Sequence, residues 1–291
     1  MGRWTLVIES FFTYEFLQNA ALAGLMIGFV APLLGVFIVV RRLSLIADAL
    51  SHITLTGIAA SLLLEKRVTA INEWNPVYMG MVFSVTGAIL IEKLRKVYKH
   101  YEELAIPIIL SGGIGVGVIL ISLADGFNTD LFSYLFGSVT AVSRADMSTV
   151  LVITLLVLAV VLLFYKELFV LSFDEDHAAV SGVNGKLIHL LFIVMVALVI
   201  ASAMQIVGIL LVSALMTLPV AAALRISKSF KQTIGLSIFF GELAVIVGLI
   251  TSYQLSVPPG GTIVVTAILI LIGAIAYRKV SGQLSLKGET V

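Results

Sequence analysis

The sequence contains no cysteine at all, which excludes disulfide bonds and thiolate ligands for metal ions. Any metal site in this chain must therefore use nitrogen and oxygen ligands. Charged residues make up only 12% of the 291 residues, against roughly 25% in soluble domains. Because the net charge is +1 and no long basic run interrupts the apolar pattern, no nucleic-acid-binding surface is expected.

The motifs of common hydrolytic enzymes are also absent. The sequence has no G-x-x-x-x-G-K-[ST] phosphate-binding loop, no H-E-x-x-H and no G-x-S-x-G. Residues 182–187, Gly-Val-Asn-Gly-Lys-Leu, lack the spacing and the hydroxyl of the phosphate-binding loop. We therefore expect a chain that is not an enzyme, that cannot hydrolyse ATP by itself and that holds no permanent cofactor.

The sequence does contain several long runs of apolar residues. Hydrophobic residues make up 60% of the chain and the mean hydropathy is +1.13, which is typical of a polytopic membrane protein embedded in a lipid bilayer. About 20 apolar residues cross a bilayer as one helix. This predicts an all-α fold with spans near residues 17–40, 43–64, 76–91, 104–123, 147–164, 187–204, 206–224, 233–252 and 262–277.

The number of crossings is predicted as eight or nine. The run 187–224 holds two short spans divided only at Met204-Gln205, and either could be a broken or re-entrant helix. The first span is too long for a signal-peptide core and ends in Arg41-Arg42, so it reads as a retained span. The predicted organisation is an amphipathic extracytoplasmic segment at 1–16, one membrane domain at 17–280 and a cytoplasmic tail at 281–291.

The loops between the spans carry an orientation signal. Most of the 18 Lys and Arg residues lie on alternate loops, which the positive-inside rule assigns to the cytoplasm. These residues are Arg41, Arg42, Lys93, Arg95, Lys96, Lys99, Lys166, Lys186, Arg225, Lys228, Lys231, Arg278, Lys279 and Lys287. The pattern predicts an N-terminus outside and a C-terminus in the cytoplasm.

Two segments do not fit a simple span. Residues 130–146 mix aromatic side chains with Gly, Ser and Arg, and they predict an interfacial or re-entrant helix on the outer side. Residues 172–186 begin with clustered acids and end with Gly182 and Gly185, the capping pattern of a short helix. This second segment is either a helix that lies against the cytoplasmic face or a solvated surface loop.

An acid and an imidazole at membrane depth are the candidate functional groups. Asp48 and His52 lie four residues apart in an apolar run, so they share one helix face. Both side chains are ordinary ligands of first-row metals, and the alternative is a hydrogen bond that locks two helices together. Glu242 is the other clear intramembrane acid and either braces a neighbouring helix or lines a path, as Ser44 and Ser51 could.

The stretch 41–52, Arg-Arg-Leu-Ser-Leu-Ile-Ala-Asp-Ala-Leu-Ser-His, resembles a motif of the permease subunits of bacterial zinc and manganese ABC importers. In that motif a basic residue and Met/Leu-Ser precede Asp and then Ser/Ala-His. The resemblance continues in order along most of the chain, through Leu135-Phe136-Gly137-Ser138 with Asp146, the segment from Phe173-Asp174 to Gly182, Val207-Gly208-Ile209 through Leu218-Pro219, and Pro259-Gly260-Gly261-Thr262.

This resemblance implies a bacterial cell-membrane protein whose second copy completes a homodimeric pore resembling type II ABC importers. It further implies two cytoplasmic ATPase subunits and an extracytoplasmic metal-binding protein as partners. Asp48 and His52 occupy the positions for metal contact, so two copies would bring up to four ligands to one transient site. Coupling to the ATPase would fall on a set of residues in the 172–186 segment: Phe173, Asp174, Ala178 and Gly182.

The transported metal is expected to be Zn2+. Manganese-type members usually carry Pro four positions after the His, whereas this chain has Thr56, which is more similar to zinc-type members. Manganese or iron is the alternative cargo. A secondary cation transporter is a further alternative, but inverted repeats and several intramembrane charges, which are typical of that class, are not evident.

Overall fold

The computed structural model describes residues 13–67, 75–98, 100–124, 126, 129–174, 178 and 180–288, and these residues form helices and no strands. Eleven helices follow one another with one 3-10 turn, Glu102–Leu104, before the fourth helix. They are α1 Glu15–Val40, α2 Ser44–Arg67, α3 Pro76–Val97, α4 Ala105–Leu123, α5 Thr129–Phe136, α6 Arg144–Leu163, α7 Tyr165–Phe173, α8 Gly185–Val207, α9 Ile209–Ile226, α10 Phe230–Leu255 and α11 Pro259–Gly288.

Nine of the described helices are long and apolar enough to cross a membrane, which confirms the all-α polytopic fold. They are α1 to α4, α6 and α8 to α11. The two short helices, α5 and α7, lie between spans. Residues 1–12 and 289–291 of the predicted terminal segments lie outside the described residues, whereas 281–288 continue α11.

The division between the sixth and seventh spans differs from the prediction. Helix α8 continues through Met204 and Gln205, and the chain breaks at Gly208, where φ is +83°. This left-handed conformation costs a side-chain-bearing residue free energy but costs Gly little. The backbone therefore turns at Gly208, and α8 and α9 are separate helices.

Helices α1, α2 and α8 form the centre of the bundle, because most of their apolar windows are buried. Phe37 of α1 and Phe192 of α8 are among the largest fully buried side chains. Small residues bring the helix backbones close together, as in other membrane bundles. At Gly35 of α1, for example, a Cβ atom would overlap the carbonyl oxygen of Met216 in α9.

Helix α2 packs against α3 and α4 along glycine-lined faces. A Cβ at Gly80 of α3 would lie 3.0 Å from Thr54, and one at Gly113 of α4 would lie 3.1 Å from Ile53. Helices α8 and α9 also contact α2. These neighbours cover most of α2 and leave one strip of the helix less covered.

Three glycines meet at the end of the bundle opposite the Arg41-Arg42 loop, namely Gly137, Gly208 and Gly260. A Cβ at Gly137 would overlap the carbonyl oxygen of Ile206, and one at Gly260 would overlap that of Val207. The Ser138 amide donates to the Gln205 carbonyl at 2.8 Å. The end of α5, the break between α8 and α9 and the start of α11 therefore form one tightly packed junction.

Candidate functional site

Asp48 and His52 lie on the less covered strip of α2. Both are half-buried, whereas the intervening Ala49 and Leu50 are fully buried. Neither side chain makes a hydrogen bond within the described residues, so the alternative of an Asp–His bond locking two helices is not observed there. The two groups remain available to an external ligand.

The pair is incomplete as a metal site. The described residues contain no group of three or more His, Asp or Glu side chains that could hold a metal ion. Two ligands leave the coordination of a first-row metal ion unfilled. Whatever completes the coordination of an ion bound here must come from outside the described part of one chain.

Hydroxyl groups hold α2 beside the pair. Thr56 Oγ1 lies 2.7 Å from the Gly113 carbonyl of α4 and 3.0 Å from the His52 carbonyl. Ser51 is buried and donates to the Ala47 carbonyl of its own helix at 2.8 Å. Ser44 is exposed at the start of α2. The path-lining roles of Ser44 and Ser51 stay predictions.

Glu242 lies in a different part of the bundle. Its helix, α10, packs mainly against α1, α9 and α11, and the structure does not group Glu242 with Asp48 and His52. The carboxylate is half-buried, and one oxygen lies 3.5 Å from where a Cβ at Gly28 of α1 would stand. Within one chain, this position places the carboxylate beside a helix contact.

The predicted coupling segment begins where α7 ends. Ala178 is fully buried; its amide donates to the Asp174 carbonyl at 3.2 Å, and its carbonyl accepts from the Val183 amide at 3.1 Å. Ala178 and Val180 are helical, and Gly182 has a φ of +80°. These features agree with a short capped helix, although residues 175–177 and 179 lie outside the described residues.

An aromatic chain that sequence analysis missed runs from this segment into the core. Phe173 contacts Phe230 of α10 with ring centroids 5.6 Å apart, and Phe230 contacts Phe37 at 5.5 Å. Phe37 in turn contacts Phe192 at 6.1 Å. All three pairs are edge-to-face, a favourable arrangement for aromatic rings. This aromatic chain of Phe173, Phe230, Phe37 and Phe192 connects α7, α10, α1 and α8.

Asp146 has a structural role at the opposite end. Its carboxylate accepts from the Ser143 hydroxyl at 2.6 Å and from the Asn75 side chain at 2.6 Å. The carboxylate also accepts from the Ser143 amide at 3.0 Å and, with the Gln205 amide nitrogen facing it, from Gln205 at 3.0 Å. The buried acid thus ties together the starts of α3 and α6 and the end of α8. The Ser143-x-x-Asp146 spacing of a capping box is the one sequence signal that could have predicted the local part of this arrangement.

Comparisons with known proteins agree with the motif order. Residues 13–278 match the ABC 3 transport family. The chain is 34% identical over 286 residues to the manganese transport system membrane protein MntC of Listeria monocytogenes, which covers 98% of this chain and 99% of that one. It is 36% identical over 266 residues to the manganese import system permease protein ScaB of Streptococcus gordonii, covering 91% and 92%.

A solved structure matches the fold as well. The structure of PsaBC from Streptococcus pneumoniae in complex with Fab superposes with a TM-score of 0.80 at 34% identity, covering 93% of this chain and 94% of that one. The similarity therefore extends over the whole membrane domain. This chain belongs to the ABC 3 transport family: it is the membrane permease of a metal ABC importer, and the ATPase resides on a separate chain.

Proposed function

We propose that two copies of this chain form the translocation path of a divalent metal importer, with Asp48 and His52 of both copies as a transient metal site. The observation that carries the proposal is the half-buried pair on the less covered strip of α2, without hydrogen-bond partners in the described residues. A twofold axis near this strip would supply four ligands. The extracytoplasmic partner would be a metal-binding protein.

Manganese is the proposed cargo, in place of the expected zinc. The support comes from the names of the relatives MntC and ScaB, both of which refer to manganese. The argument for zinc depended on Thr56, and this side chain has a packing role against Gly113. Two carboxylates and two imidazoles provide the mixture of oxygen and nitrogen ligands that Mn2+ can accept, with water completing six-coordination.

The chain would supply a gated path rather than chemistry. ATP-driven closure of the ATPase dimer would push on the 172–186 segment, and the Phe173-to-Phe192 aromatic chain would carry the motion to α1, α8 and α10. Rigid-body tilting of the helices would separate the two copies of the pair and release the ion. The basic loops support a cytoplasmic ATPase side and a cytoplasmic C-terminus.

Reconstituted transport tests this proposal. The permease, its ATPase and its binding protein would be incorporated into proteoliposomes, and uptake of manganese and zinc isotopes would be measured from an equimolar mixture with and without ATP. We expect ATP-dependent uptake in which manganese exceeds zinc. Uptake that persists without the ATPase under a proton gradient would instead show a secondary transporter, and a zinc excess would overturn the choice of metal.

A further inference from the structure

A second polar site lies at the end of the bundle that holds the Arg41-Arg42 loop, and neither Asp48 nor His52 lines it. A pocket of about 510 Å³ opens between the ends of α1 and α3 and the start of α8. Its polar lining consists of Arg41, Glu92, Arg95, Lys96, Glu102, Asn184, Lys186 and His189. These residues come from four separate stretches of the chain, and the proposed metal path uses none of them.

A cluster of side chains around Arg95, of which Glu92 and His189 are buried, lines this pocket. The Arg95 guanidinium donates to Glu102 at 2.7 Å, lies 3.7 Å from the Glu92 carboxylate and contacts Nε2 of His189. The same Nε2 lies 3.4 Å from the Glu92 carboxylate. In the tautomer with its proton on Nδ1, Nε2 accepts from Arg95, whose guanidinium can only donate. His189 is only 5% exposed, and its Nδ1 has no hydrogen-bond partner in the described residues.

Basic side chains outnumber acidic ones in the lining of the pocket. Glu92 and Glu102 both lie within ion-pair distance of Arg95, although the buried Oε2 of Glu92 has no hydrogen-bond partner in the described residues. Lys96 and Lys186 are exposed and form no ion pair with any described residue. The first turn of α8, at Gly185 and Lys186, also faces the pocket. Its Gly185 and Leu187 amides already donate to Val183 and Asn184, so this helix end favours an anion through the helix dipole. The unneutralised lining is therefore positive.

We propose that this pocket binds a phosphate-type oxyanion between Lys96 and Lys186, with the unpartnered Nδ1–H of His189 as a further donor. The lining residues lie at the ends of spanning helices, where a bilayer meets water. The phosphate can therefore belong to an anionic phospholipid headgroup or to a soluble phosphate. Because Asn184 and Lys186 belong to the coupling segment 172–186 and Lys96 belongs to α3, the ligand would bridge these two elements.

Binding to the full-length, delipidated permease tests this site. Thermal unfolding would be followed during titration with short-chain phosphatidylglycerol, short-chain phosphatidylcholine and inorganic phosphate, all at constant ionic strength. Lys96→Gln and Lys186→Gln should each weaken binding of the anion by about fivefold, which corresponds to the contribution of one basic residue near an anionic headgroup. The double variant should lose most of the stabilisation.

Lys93→Gln is the matched control. Lys93 is exposed on α3, the helix that carries Lys96, but its side chain does not line the pocket. Stabilisation by phosphatidylglycerol alone assigns the site to a lipid headgroup, and stabilisation by inorganic phosphate as well assigns it to a soluble phosphate. Equal stabilisation by phosphatidylcholine, no stabilisation by either anion, or equal weakening in Lys93→Gln would overturn the proposal. None of these outcomes depends on metal uptake, so the pore proposal is tested separately.

Discussion

Thr56 lies one turn beyond His52 on α2, and its hydroxyl donates a hydrogen bond of 2.7 Å to the backbone carbonyl of Gly113 in α4. The bond joins α2 to α4 where Gly113 and Gly117 allow the two helices to approach closely. The position of the His52 imidazole therefore depends on packing between helices as well as on the helix that carries it.

The first prediction concerns this tie between helices. Thr56→Val keeps the shape of the side chain but removes the donor, and it should cost about 1 kcal/mol of stability and reduce the rate of metal uptake. Thr56→Ser keeps the hydroxyl and should preserve most uptake. Thermal unfolding and isotope uptake would measure both effects, and a Thr56→Val permease that transports at the parental rate would show that the bond does not position the site.

The second prediction tests the metal pair itself. Asp48→Ala and His52→Ala should each abolish uptake without disturbing association with the ATPase, because the two side chains make no hydrogen bond in the described structure. Glu65→Gln is the control, since it removes a carboxylate from the same helix roughly 25 Å away. Uptake and copurification would be measured together, and normal uptake by the Asp48/His52 double variant would end the pore-site assignment.

The third prediction concerns metal preference. His52→Asp changes the site from mixed nitrogen and oxygen ligands towards oxygen alone, which should lower uptake of zinc relative to manganese, because imidazole suits zinc and harder ions prefer oxygen. Glu242→Gln should retain most uptake with an unchanged ratio, since Glu242 lies against Gly28 and apart from the pair. Uptake would be measured from a mixture of zinc and manganese isotopes. A zinc-to-manganese ratio that changed only in Glu242→Gln would show that His52 and Glu242 had been assigned the wrong roles.

The fourth prediction concerns coupling. Pro at Ala178 would remove the amide that donates to the Asp174 carbonyl, and a proline inside a helix costs about 3 kcal/mol. ATP hydrolysis should then continue without transport. Val180→Ala is the control, because Val180 is 90% exposed. The ratio of metal transported to ATP hydrolysed is the measurement, and a parental ratio in Ala178→Pro would contradict the role of this segment.

The fifth prediction uses two adjacent glycines at the three-glycine junction. A Cβ at Gly260 would overlap the Val207 carbonyl oxygen, whereas one at Gly261 has nothing within 4 Å. Gly260→Ala should therefore destabilise the permease by about 1–3 kcal/mol, and Gly261→Ala should leave its unfolding temperature nearly unchanged. Equal unfolding temperatures for the two variants would mean that the helices separate at this junction without cost.

Hydrophobic length alone predicted eight or nine spans, because each crossing needs a long apolar run whatever its neighbours are. The four-residue spacing of Asp48 and His52 likewise placed them on one face of α2. The mixture of aromatic, Gly, Ser and Arg residues at 130–146 predicted an interfacial or re-entrant helix, and α5, Thr129–Phe136, lies at the start of that segment. These features depend on residues close together in the chain, so they are visible without a structure.

The partners of each helix were decided only by the tertiary structure. A spanning helix is apolar both where it meets lipid and where it meets other helices, so hydrophobic periodicity does not distinguish the two faces. The meeting of Gly137, Gly208 and Gly260 and the hydrogen bonds from Asn75 and Gln205 to Asp146 join residues distant in sequence. The cluster of Arg95, His189 and Glu102 was hidden for the same reason, because charges at helix ends acquire a role only when the packing of the helices brings them together.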